Sequence, residues 1–256
     1  MRLRGRTTGR TADVSPLQMS LWSARDQSSA WNVRISRRAR RLSMRVFPGG
    51  RVEVVVPPGV GVPAVERFVA RHRDWAERRA RELTLAAPSM AERRPTFIDL
   101  AHLDRRWCVQ YSRSRRASCT ETADGRLEVA LATDSDAEVG EVLLRWLTKQ
   151  ASLHLAARLG ELSRETGIGF ERLQLRRQQT RWGSCSSAGA ISLNVCLMFQ
   201  RPPVVRYLLI HELCHRLHMN HSRRFWNLVE TFEPNWRPLD AELLNGWRNV
   251  PAWVFP

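Results

Sequence analysis

The sequence has a single lysine, Lys149, no C-x-x-C pair, and no apolar run approaching the roughly 18 residues needed to span a bilayer. Each absence excludes something. The five cysteines (Cys108, Cys119, Cys185, Cys196 and Cys214) are odd in number and widely scattered. That argues against a disulfide framework and against a four-thiolate zinc site, and it fits a reducing compartment. The N-terminus, MRLRGRTTGRTADVSPLQMSLW, carries arginines but lacks the continuous apolar core of a secretory leader. The expectation is a soluble, cytoplasmic chain with no membrane partner, and with no internal repeat to suggest a solenoid.

What is present is arginine. Of 41 basic residues 40 are arginine, against 25 acidic ones, for a net charge of +16. Such an excess raises nucleic acid as a partner. The skew from lysine to arginine, together with abundant alanine, equally fits a GC-rich coding bias, so a solvated basic surface is the favoured reading. With 256 residues and 43% apolar composition, the chain can bury a core without staples.

Residues 1–30 are polar, arginine-rich and without hydrophobic period, as expected of a disordered basic tail. From Asn32 to Pro57, Val33 and Ile35, then Leu42, Met44 and Val46, then Val52, Val54 and Val56 alternate at period two. With Pro48-Gly49-Gly50 as a turn, they read as a hairpin or meander. Pro63 opens a helical pattern to about Leu83, with Val65, Phe68, Val69, His72, Trp75 and Ala76 as its apolar stripe. Strand-like runs recur at Trp107–Tyr111 and Leu127–Leu131, the second after the turn signal Asp124-Gly125. Residues 31–135 therefore form a β-rich N-terminal half with one helix. In 136–256 a long helix from Asp136 to Thr166 is expected, with Val139, Val142, Leu143, Trp146, Leu147, Leu153 and Ala157 as its stripe and Gly167 as C-cap. Ile191–Val195 reads as a strand paired with the Trp182–Cys185 segment, and Pro202-Pro203 opens another helix. The fold class is α+β.

Four of the seven histidines fall within HELCHRLHMNH, residues 211–221. On a helix, positions i and i+4 share a face one turn apart, so His211 and His215 can offer imidazole nitrogens to one ion. Glu212 lies one residue round, suited to act on a water rather than to ligate. A third ligand is needed, and His221 has the spacing of the H-E-x-x-H-x-x-G-x-x-H pattern. The glycine of that pattern is His218 here, so the chain is expected to turn later, at Asn220 in left-handed geometry, with Ser222 capping the next helix. His218 is the rival ligand. It lies ~4.5 Å further along a straight helix than His215, awkward for a compact tetrahedron. The acidic rivals are Glu230, Glu233 and Glu242.

The strings RWGSCSSAGAISLN (Arg181 to Asn194), Pro202-Pro203, YLLIHELCH (Tyr207 to His215) and NHSRRFW (Asn220 to Trp226) resemble the YgjP-like metallopeptidases, relatives of the SprT-like zincins. The resemblance is strong from Gln178 to Trp236 and weaker upstream. It implies a minimal zincin-like core of backing helix, short sheet and active helix. It also implies one zinc ion on His211, His215 and His221, Glu212 as general base, and a protein or peptide substrate. Arg206 departs from it, since an acidic residue is expected there. Tyr207, Arg181 and His218 are candidates for the oxyanion donor. Trp182, Gly183, Ser184 and Asn194 either line the site or serve structure alone, and Cys185 and Cys214 read as inert buried thiols. The alternative is a nucleic-acid-associated protein with a structural zinc site, or a SprT-like protease that works at DNA.

Overall fold

Val52, Glu53, Val54, Val55 and Val56 make a run too apolar for a strand with one wet face, and in the structure this strand is the centre of its sheet. The computed structural model describes residues 31–47, 50–85 and 93–255; the expected basic tail and the Pro48-Gly49 part of the turn lie outside them. The chain divides into two compact units, one ending at Leu85 and the other beginning at Ala86.

In the first unit β1 (Trp31–Ile35), β2 (Ser43–Val46) and β3 (Val52–Val56) stand in the order β1-β3-β2. β2 and β3 form the expected antiparallel hairpin, closed by a 2.8 Å bond from the Phe47 amide to the Arg51 carbonyl. Gly50 turns the chain at φ 79°, a conformation that side chains resist. β1 instead runs parallel to β3, so the trio is not a simple meander. Helix α1 (Val62–Leu85) covers one face, setting Val65 and Val69 on Val33, Val54 and Val56, with Ala76 and Ala80 beside Val52. Trp75, expected in that stripe, is 47% exposed. Small alanines at 76 and 80 bring the helix close to the sheet on a line that leaves position 75 outside.

The second unit holds β4 (Phe97–Leu100), β5 (Arg105–Arg113), β6 (Ser118–Glu121) and β7 (Arg126–Leu131) in the order β4-β5-β7-β6. β4 and β6 are short edge strands whose sequences lack a distinct alternation. The boundary drawn at residue 135 therefore differs from the structural division. Ile98, Leu100, Trp107, Val109, Leu127, Val129 and Leu131 share one core with the helix that follows them. Strand composition reports the local conformation and not the surface a sheet will be packed on.

That helix, α2 (Asp136–Thr166), has the expected limits: the Ser135 hydroxyl accepts the Glu138 amide at 3.2 Å, and Gly167 ends it at φ 71°. Its buried face runs Val139, Leu143, Leu147, Ala151, Leu155, Leu159 and Leu162, so Leu153 (66% exposed) and Ala157 fall outside it. Truncating one of the buried leucines to alanine costs about 2–5 kcal/mol, which makes α2 the backbone of the unit. Around it lie β8 (Arg172–Arg176), β9 (Gly183–Cys185) and β10 (Ala190–Asn194) in the order β8-β10-β9, then helices α3 (Pro202–Cys214), α4 (Arg223–Phe232) and α5 (Trp236–Asn245). The result is an α+β fold with α2 and α3 packed together and a short sheet beside α3. No helix among the described residues is long and apolar enough to cross a membrane.

Candidate metal centre

Two prolines at its start and a run of buried apolar residues (Val204, Val205, Leu208, Leu209, Ile210, Leu213 and Cys214) anchor α3 in the core. The helix ends earlier than expected. His215 is its C-cap, and the amides of Arg216 and Leu217 bond back three residues, to Leu213 and Cys214, rather than four. Tightening of this kind commonly closes a helix end without a glycine. Asn220 is accordingly not in left-handed geometry; among the described non-glycine residues only Asp104 has a positive φ. The return is made over 215–220, and Ser222 then caps α4 by accepting the Phe225 amide.

This return brings His221 back over α3. One ligand atom from each of His211, His215 and His221 lies within 4.8 Å of the others, and the three ring centroids are 4.8–5.1 Å apart. The Nε2 atoms of His211 and His221 are 3.1 Å apart. Two nitrogens bound to one tetrahedral zinc at the usual 2.0–2.1 Å would sit roughly 3.3 Å apart, so the donor set fits such an ion. Phe225 stacks on His215 at 4.5 Å and Trp226 on His221 at 5.6 Å, making an aromatic wall that holds the rings.

The far side of each helical histidine is also held. His215 Nδ1 donates to the His218 carbonyl at 3.0 Å, leaving its Nε2 bare. The Tyr207 hydroxyl donates to Asp240 Oδ1 on α5 at 2.7 Å and stands 3.4 Å from His211 Nδ1. With its proton committed to a carboxylate, the phenol oxygen can only accept from His211, which orients Nε2 as a lone pair toward the cluster. Burial, reinforced by the neighbouring histidines, lowers the His211 pKa to about 3, and burial also lowers that of His215. Neutral imidazoles are the form a metal requires.

Glu212 is 4% exposed, and its Oε2 is buried without a hydrogen-bond partner. Burial pushes its pKa up to about 8, opposed by the charge of Arg181. The carboxyl rests on β9: a Cβ at Gly183 would lie 2.5 Å from Oε1 and 2.9 Å from Cδ of Glu212. Gly183 is therefore a seat for the glutamate, a role that the sequence left undecided.

The other expected residues fall into place by contact. Tyr207 is 1% exposed and serves His211, so it is not available as an oxyanion donor. Asn194 is buried and braces the loop before β9, donating to the Gln178 and Arg181 carbonyls at 2.7 and 2.8 Å while accepting the Cys196 amide. Trp182 is core, stacked on Trp247 at 4.1 Å. His218 contributes its carbonyl and its ring is not in the cluster. Arg181 is exposed. Glu230, Glu233 and Glu242 pair with Arg237, Arg206 and Arg201, away from the histidines. Arg206, the departure from the expected pattern, ties α3 to Glu165 on α2 and to Glu233 after α4. The Cys185 and Cys214 thiols are both raised by burial. Asp240 was missed, because nothing local in Arg237-Pro238-Leu239-Asp240 marks it as a partner for Tyr207.

The Asp240–Tyr207–His211 chain makes a prediction. Tyr207→Phe or Asp240→Asn should weaken metal affinity by roughly 10–100-fold while leaving the fold intact, as loss of an outer partner of a ligating histidine typically does. Competition with a chromogenic chelator measures this; affinity equal to that of the unmodified chain would remove any role for the chain of hydrogen bonds.

The family model described as YgjP-like, metallopeptidase domain, matches residues 40–245 of the chain. Among solved structures, the metallopeptidase zymogen of Pyrococcus abyssi abylysin is similar at 22% identity over 35% of this chain and 90% of its own, with a TM-score of 0.33. No curated protein matches the chain.

Proposed function

Because the chain belongs to the YgjP-like metallopeptidase family, we propose that it hydrolyses peptide bonds with one zinc ion held by His211, His215 and His221 and with Glu212 as general base. The observation that carries the proposal is the convergence of three imidazoles beside a buried carboxyl whose Oε2 lacks a partner. Zinc in a three-histidine site supplies a Lewis acid for a carbonyl and lowers the pKa of a water to about 7. Everything else is the work of the chain. Glu212, desolvated and seated on Gly183, takes a proton from the attacking water through its free oxygen and returns it to the leaving amine. Among the expected oxyanion donors, Arg181 is the one whose charge acts on Glu212.

A structural zinc site closes four protein ligands around the ion. Among the described residues no fourth His, Cys, Asp or Glu joins the group, which favours catalysis over the structural alternative. β9 supports an extended substrate: it is an edge strand of its sheet and borders α3 beside Glu212, so a peptide can add to it by backbone hydrogen bonds.

The test is metal removal. Stripping the protein with a chelator should abolish cleavage of an unfolded protein substrate, and one equivalent of zinc should restore it. Stoichiometric zinc without hydrolysis across a broad peptide library, or hydrolysis that survives metal removal, would overturn the proposal.

A further inference from the structure

Charge is not shared evenly between the two units. Residues 31–85 contain thirteen arginines against five acidic side chains, a balance of +8 in 55 residues, whereas residues 86–256 contain 23 basic against 18 acidic, or +5 in 171. A coding bias toward arginine acts along the whole chain, so it does not explain why the basic excess is concentrated in one unit. The excess has a definite place on α1. With its buried stripe at Val65, Val69, Ala76 and Ala80, the opposite side of the helix presents Arg67, Arg71 and Arg78, all exposed, with Trp75 next to Arg71. At about 100° per residue the four fall within roughly 80° of the helix circumference, and Arg67 to Arg78 spans roughly 16 Å. Two acidic residues share this side of the helix by position, Asp74 at the edge of the sector and Glu82 one turn beyond Arg78. None of the three arginines has an ion-pair partner among the described residues.

Trp75 puts a half-exposed indole at the border of these arginines. We infer that the outer face of α1 binds single-stranded nucleic acid, with Arg67, Arg71 and Arg78 on successive phosphates and Trp75 stacked on an unpaired base. Arginine forks match phosphate oxygens in pairs, and an indole face accepts any base. A duplex does not offer an unpaired base to such a face. An anionic membrane is the poorer fit, because an interfacial helix inserts its apolar face and that of α1 is already covered by the β1-β3-β2 sheet. This inference stands apart from the peptidase chemistry and does not depend on it.

The experiment uses the full chain and a fluorescein-labelled twenty-residue oligothymidylate, read by anisotropy from 50 to 300 mM salt. The unmodified chain should bind with affinity that falls as salt rises. Arg67→Gln/Arg71→Gln/Arg78→Gln should lower the slope of log affinity against log salt by about two, and Trp75→Ala should weaken binding roughly 5- to 150-fold. A control triple, Arg158→Gln/Arg172→Gln/Arg176→Gln, removes the same charge from the second unit and should change little. All these are surface positions, and unchanged melting temperatures would confirm intact folds. No binding at 50 mM salt, equal losses from the control triple, or undiminished binding by both α1 variants overturns the inference. So does binding to phosphatidylserine vesicles without binding to the oligonucleotide.

Discussion

Glu212→Gln should abolish peptide hydrolysis, lowering kcat by about 10²–10⁴-fold, while zinc still binds with one-to-one stoichiometry. The amide keeps the shape of the carboxyl but accepts no proton. Stability should hold or rise, because an ionisable group that burial disfavours is replaced by a neutral one. The pairing of the two readouts matters. Lost activity with retained metal identifies Glu212 as a proton carrier, whereas lost metal would mean that the residue only holds the site together. Activity retained in this variant would end the general-base assignment. Gly183→Ala gives an independent route to the same conclusion. A methyl group at 183 would occupy the space of Oε1 and Cδ, forcing the carboxyl off its seat without touching a histidine. It should depress kcat with zinc affinity little changed.

The second large effect separates two histidines three residues apart. His221→Ala should abolish tight zinc binding, since it leaves two ligands where a catalytic site uses three, and hydrolysis should go with it. His218→Ala should retain the metal, because position 218 acts through its carbonyl on His215 Nδ1, and a backbone group survives side-chain truncation. Isothermal titration with zinc on both variants decides it; the reverse pattern would show the ligand assignment to be wrong.

The sequence made the α3 pair legible because a helix converts spacing directly into a shared face: four residues apart means one turn apart. The limits of α2 were legible for a similar reason, its apolar period and the glycine that ends it at 167 being local chemistry, whereas the Ser135 cap emerged only in the structure. Local rules went astray where packing decides. Trp75 and Leu153 belong to apolar patterns yet lie exposed, since the sheet beneath α1 and the core around α2 each select one line of contact out of several that periodicity allows. Asn220 was a reasonable turning residue, and the chain turned earlier, by tightening its last helical hydrogen bonds.

For the proposed metal centre, residue types and spacing alone pointed to His211, Glu212 and His215, and narrowed the candidates for a third ligand to His221 against His218. Tertiary structure supplied what pairs of distant residues must supply. It brought His221 to within 3.1 Å of His211, set Asp240 behind Tyr207, and put Gly183 under Glu212. The physical reason is range: helical periodicity relates residues within a turn or two, while the approach of two segments is set by burial across the whole core, which no stretch of sequence states by itself.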